Sequence, residues 1–117
     1  MKPQELRIEN KILRKKTNDE WVECTVNLTY LELIQKYPED YKPIMLTGKR
    51  LLEFGFKKAS YRVFYLGNFG VDLGIETYFI IKQGDAFTRI KMQPYVHRLQ
   101  NIYFELTDKE LTSIPIQ

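Results

Sequence analysis

The spacing of apolar and polar positions changes several times along the chain, and each change marks an element. Near the start, Leu6 and Ile8 alternate with charged neighbours, and Ile12 and Arg14 do so less cleanly. Trp21, Val22, Cys24 and Val26 form a run rich in β-formers, and Thr17-Asn18-Asp19-Glu20 before it is a turn signal. Residues 5–26 therefore read as a small antiparallel unit of two or three strands. After Asn27 the period becomes helical. Tyr30, Leu31, Leu33, Ile34 and Tyr37 make one stripe, Thr29 with Glu32 matches a capping box, and Pro38 ends the helix. Asn27-Leu28-Thr29 also matches a glycosylation sequon, for which a capping role is the simpler reading. Residues 38–43, with a proline at each end, read as an extended connector.

A second, short helix is predicted after Thr47, its N-cap, with Leu51, Leu52 and Phe54 as apolar contacts. Gly55 takes the left-handed position after it and Phe56 folds back onto Leu51. Gly48 and Arg50 suit a first turn poorly, so packing has to hold this helix. Residues 59–92 read as an antiparallel meander. Tyr61, Val63 and Tyr65 are assigned one face, Gly67-Asn68 is a hairpin turn, and Phe69, Val71 and Leu73 alternate on the way back. Tyr78, Phe79, Ile80 and Ile81 are consecutive, as in a strand covered on both faces and central in its sheet. Gln83-Gly84-Asp85 turns into a last strand, 86–92. Tyr95 to Leu106 is the strongest helix, with Tyr95, Val96, Leu99, Ile102, Tyr103 and Leu106 on one arc and His97, Gln100, Asn101 and Phe104 beside it. Thr107 with Glu110 suggests one further turn, and the tail 112–117 carries Pro115. The pattern predicts an α+β fold: an antiparallel β meander packed by a C-terminal helix, with a small N-terminal β unit and two short helices.

At 117 residues the chain is expected to form one domain, 1–117. Its sixteen aromatic residues exclude a disordered composition. A single cysteine excludes an internal disulfide and makes a cysteine-rich metal site untenable. The N-terminus is polar and no window has the apolar length of a membrane span, so a cytoplasmic location without membrane contact is expected.

The candidate chemistry is sparse. His97, Gln100 and Asn101, spaced i, i+3, i+4, share a helical face that could hydrogen-bond a ligand or partner. Phe104 in the same stripe instead favours a buried, structural role. A lone histidine without Cys, Asp or Glu in its stripe is a poor zinc site. The chain has Ser60 and Ser113 but no nucleophile elbow, no phosphate-binding glycine loop and no paired-histidine motif. Gly67, Gly70 and Gly74 read as strand-end glycines. No catalytic, cofactor or metal residue is therefore assigned.

The basic residues form two groups. Lys11, Arg14, Lys15 and Lys16 give +4 in six residues, and residues 42–62 carry +5. Lys15, Lys16, Lys49, Arg50, Lys57 and Lys58 are the candidate nucleic-acid contacts if the groups meet in space. The first 58 residues hold 12 basic and 9 acidic groups and the rest 6 and 6, which puts the net +3 in the N-terminal half. Eight tyrosines are too many to bury completely, and Tyr61 with Tyr65 could form an exposed strip serving a homodimer.

Four segments together carry a resemblance: 6–10 (Leu-Arg-Ile-Glu-Asn), 41–47 (Tyr-Lys-Pro-Ile-Met-Leu-Thr), 51–56 (Leu-Leu-Glu-Phe-Gly-Phe) and 96–107 (Val-His-Arg-Leu-Gln-Asn-Ile-Tyr-Phe-Glu-Leu-Thr). In this order they resemble small uncharacterised proteins carried by Bacteroides-type prophages and mobile elements. The resemblance implies a bacterial cytoplasmic protein from a mobile genetic context, and no activity, cofactor or catalytic residue to carry over. The chain departs from the pattern at Glu9 and Asp108, where the family has glycine. It departs also at Met45, where the family has proline, and at Gly48 and Lys49, where it has acids. Together these observations lead to a non-enzymatic module acting through an unidentified protein partner. The alternative is a nucleic-acid-binding accessory protein using the basic residues of 11–16 and 42–62.

Overall fold

A computed structural model describes residues 1–112. Residues 113–117, among them Ser113 and Pro115, lie outside the described part. The architecture is α+β, with two antiparallel sheets and three α-helices among the described residues. The chain divides into two compact units, Met1–Met45 with Tyr95–Glu110, and Leu46–Pro94 with the segment from Leu111.

In the first unit, β1 (Lys11–Lys15), β2 (Trp21–Thr25) and β3 (Tyr41–Pro43) form a sheet in the order β2-β1-β3. The Thr17–Glu20 turn closes the β1–β2 hairpin, with Lys15 opposite Trp21. Residues 5–10, expected to be strand, are not. A short 3-10 turn covers Pro3–Glu5, and Glu9 takes a positive φ of 80°, which breaks an extended chain. α1 (Leu28–Lys36) is capped by Asn27, whose side chain accepts from the Tyr30 N–H, so the helix starts ahead of the Thr29–Glu32 pair. Ile12, Val26, Ile34 and Tyr41 form the buried cluster between this sheet and α1.

α3 (Val96–Thr107) belongs to the same unit, where it meets β1. Tyr95 stands just outside it in extended backbone, paired with Met45. Val96 and Leu99 are buried as the apolar arc requires, but so are His97 and Gln100, while Leu106 is exposed. The further turn expected after Thr107 is not formed. The Thr107 hydroxyl donates to the Tyr103 carbonyl and Asp108 ends the helix in the left-handed region.

The second unit is the meander. β4 (Lys57–Lys58), β5 (Val63–Leu66), β6 (Phe69–Leu73), β7 (Thr77–Gln83) and β8 (Ala86–Met92) lie in sequence order, each antiparallel to the next. Register places Phe64, Val71, Phe79 and Ile90 across from one another, hence on one face. α2 (Gly48–Glu53), capped by Thr47 as expected, packs on that face. Its first residue, Gly48, sits close to the sheet: a Cβ there would stand 2.9 Å from the tip of the Phe64 ring, which would have to shift. β7 is interior but not central as its unbroken apolar run suggests: β6 holds the centre and β7 lies between it and the edge strand β8, with Phe79 and Ile80 buried on opposite faces. β8 is the free edge, exposed along its length except at Met92.

Candidate functional site

The sequence pointed first to the His97 flank of α3. Gln100 Oε1 accepts from the Lys11 N–H at 2.8 Å, and Gln100 Nε2 donates to the Glu9 carbonyl at 3.5 Å. Asn101 Oδ1 accepts from Asn10 Nδ2 at 2.8 Å and its Nδ2 donates to the Glu5 carbonyl at 3.3 Å. Three of these four bonds go to main chain, at Glu5, Glu9 and Lys11, and so satisfy the irregular backbone before β1 and the first N–H of that strand. Arg7 lies over the Phe104 ring at 4.2 Å and pairs with Glu110, which explains how Phe104 is covered.

His97 is 0% exposed, and neither ring nitrogen has a hydrogen-bond partner among the described residues. Its Nε2 is 3.6 Å from a Glu5 oxygen, too long for a hydrogen bond. Burial, aided by the Arg98 charge, pushes its pKa down to about 4, so the ring is neutral. His97 and Gln100 thus present no open surface, and Asn101 is engaged within the first unit.

Tyr61 and Tyr65 do not form a strip. Tyr61 precedes β5 and is 91% exposed, whereas Tyr65 is half-buried and its ring lies against Gly70. The six predicted basic contacts divide between the units. Lys15 and Lys16 sit at the β1–β2 hairpin, with Lys15 paired to Asp19 at 3.2 Å. Lys49 and Arg50 are on α2 and Lys57 and Lys58 are β4. Register turns Lys57 to the face of Tyr65 and Lys58 to the face of Phe64, so these neighbours diverge.

A different group emerges on the sheet face opposite α2. Register aligns Tyr65, Gly70, Ile80 and Arg89 in one row and Val63, Asp72, Tyr78 and Lys91 in the next. Lys82 and Phe87 are opposite each other at the far end. This face carries Lys57, Lys82, Arg89 and Lys91 interleaved with Tyr65, Tyr78 and Phe87, and Phe87 is 57% exposed. Gly70 makes the arrangement possible, because a Cβ there would come within 2.6 Å of the Tyr65 ring. Cations and rings already pair: Arg89 lies 4.6 Å from the Tyr78 centroid and Lys82 5.9 Å from that of Phe87.

At the β6–β7 end the face opens into a cleft of about 360 Å³ lined by Arg62, Asp72, Gly74, Ile75, Glu76, Tyr78 and Arg89. Asp72 is buried at its base and holds both arginines, Arg62 Nε at 3.1 Å and Arg89 Nη2 at 2.6 Å. Glu76 accepts from the Tyr78 hydroxyl at 2.7 Å and from Lys91 at 3.0 Å, and these two bonds hold its carboxyl below the usual range. Arg89, Lys91, Lys82 and Phe87 were not singled out by the sequence reading. The signal was the alternation in 86–92, which sends Phe87, Arg89 and Lys91 to one face of an edge strand.

Among the described residues no group of three His, Cys, Asp or Glu stands close enough to hold a metal ion. No helix there is long and apolar enough to cross a membrane. Comparison with family models, curated proteins and solved structures finds no match to this chain.

Proposed function

We propose that the chain acts in the cytoplasm as a non-enzymatic binding module that holds single-stranded nucleic acid on the open sheet face of its second unit. The observation that carries this reading is the interleaving of Lys82, Arg89 and Lys91 with Tyr78 and Phe87 on the face that α2 leaves uncovered. Cations track a phosphate backbone, and rings offer a stacking surface to any unpaired base. A duplex keeps its bases stacked and would meet only the charges. The charge balance of the unit supports the same partner. Residues 46–94 hold eight Lys and Arg against four Asp and Glu, a net +4. The resemblance to prophage and mobile-element proteins is consistent with an accessory factor that meets nucleic acid.

Fluorescence anisotropy with a labelled single-stranded oligonucleotide, repeated across a salt series, tests the reading. Binding should weaken steeply as salt rises. Lys82→Ala with Lys91→Ala should reduce the log–log salt slope by roughly 1.4, given a contribution of about 0.7 per phosphate contact on single strands. Phe87→Ala should weaken binding about tenfold with the slope unchanged, because a lost stack releases no counterion. Absence of binding at low salt would remove the proposal and return the module to a protein partner.

A further inference from the structure

We infer that the Arg62–Asp72–Arg89 cleft is a phosphate-binding subsite; this rests on the reading of the sheet face above and assigns one particular contact within it. A guanidinium has five N–H donors; Asp72 Oδ2 accepts one from Arg89 Nη2, and Asp72 Oδ1 faces Arg62 Nε at 3.1 Å as an ion pair without a hydrogen bond. Both side chains remain about half exposed, at 56% and 52%, while the carboxylate beneath them is 7% exposed. Asp72 therefore acts as a positioning residue. It fixes two forks at the mouth of one cleft and neutralises only one of their two charges. The second carboxylate, Glu76, is already engaged by Lys91 and the Tyr78 hydroxyl. Arg62, Arg89 and Lys91 against Asp72 and Glu76 leave a net charge of +1 in the cleft and its rim.

A planar fork matches the oxygens of a phosphate, and two forks set by a common carboxylate reach it from two sides at little further ordering cost. Tyr78, beneath Arg89, supplies a ring beside that anion, as an adjoining base or sugar would require. The phosphate has two sources in a bound strand, its terminal monoester or an internal diester, and the chemistry of recognition is shared.

The probe is inorganic phosphate, titrated into the full chain at constant ionic strength against chloride, with the arginine Nε–H resonances followed by NMR. Saturable shifts at Arg62 and Arg89 that vanish in Arg62→Gln are expected. Shifts no larger than those with chloride would overturn the subsite. Arg62→Gln should also weaken oligonucleotide binding about tenfold, the loss of one charge-assisted contact. Arg89→Gln provides the second variant should Arg62→Gln fold poorly. A 5′-phosphorylated oligonucleotide that outcompetes its 5′-hydroxyl twin assigns the cleft to the strand end. Equal affinities, both lost in Arg62→Gln, assign it to an internal phosphate. Oligonucleotide binding that Arg62→Gln leaves intact, while Lys82→Ala with Lys91→Ala still weakens it, defeats the subsite and leaves the sheet-face reading standing. Phosphate binding with no oligonucleotide binding defeats the sheet-face reading instead.

Discussion

Burial holds the His97 imidazole neutral against the nearby Glu5 carboxylate, and its pKa falls to about 4 from an ordinary 6.5. An unfolded chain takes up this proton as pH drops through 6.5, whereas the folded chain resists until about 4. The stabilisation is thus complete above pH 6.5 and is lost progressively toward pH 4. Between pH 7 and pH 5 urea unfolding should show a loss of about 2 kcal/mol from this group, at 1.36 kcal/mol per pKa unit. His97→Leu should abolish that part of the slope and be no less stable at pH 7, since neither ring nitrogen has a partner to lose. Equal slopes in both proteins would contradict the assignment. Besides Asp19 in the β1–β2 turn, at φ 65°, two residues stand where an L side chain is strained: Glu9 at φ 80° and Asp108 at φ 58°. Glycine at either position should raise stability by about 0.5–1 kcal/mol, measured by the same unfolding curves. The shared face of His97, Gln100 and Asn101 was legible from spacing alone. The left-handed positions were not, because neither Glu nor Asp signals a positive φ as glycine does.

Helices and strands differ in how far their local pattern reaches. The α3 period, the Thr47 cap and the meander turns were all readable, since each depends on residues a few positions apart. The irregular segment around Asn10 was not. Leu6 and Ile8 alternate like a strand, yet the backbone at Glu9 and Lys11 is satisfied by Gln100, some ninety positions away. No local pattern encodes such a pairing. Gln100→Leu should therefore cost about 1–3 kcal/mol, because it orphans the partly buried Lys11 N–H. Glu105→Ala, on the exposed side of the same helix, should stay within about 0.5 kcal/mol. If the two variants unfold alike, the belt of amides is not what ties α3 to the N-terminal segment.

Over the whole chain, the linear and spatial divisions of charge disagree, and the two would send a polyanion to different surfaces. By sequence the excess lies in the first 58 residues, 12 basic against 9 acidic. In the fold, α3 and the residues after it bring Glu105, Asp108 and Glu110 into the first unit. That unit then holds ten basic and eleven acidic groups, while Leu46–Pro94 holds eight and four. The basic hairpin at Lys15 and Lys16 looks dense in sequence but sits in the acidic unit, whereas Lys82, Arg89 and Lys91, scattered in sequence, converge through strand register. Two double variants separate bulk charge from placement. Lys15→Glu with Lys16→Glu and Lys82→Glu with Lys91→Glu both take the chain from +3 to −1. If the open face is the site, the hairpin pair should leave oligonucleotide affinity within about twofold. The sheet pair should lower it about a hundredfold at low ionic strength, where two phosphate contacts become two repulsions. Equal losses from the two pairs would mean that the strand is held by net charge alone, and the interleaved rings and cations of the face would then have no part in binding.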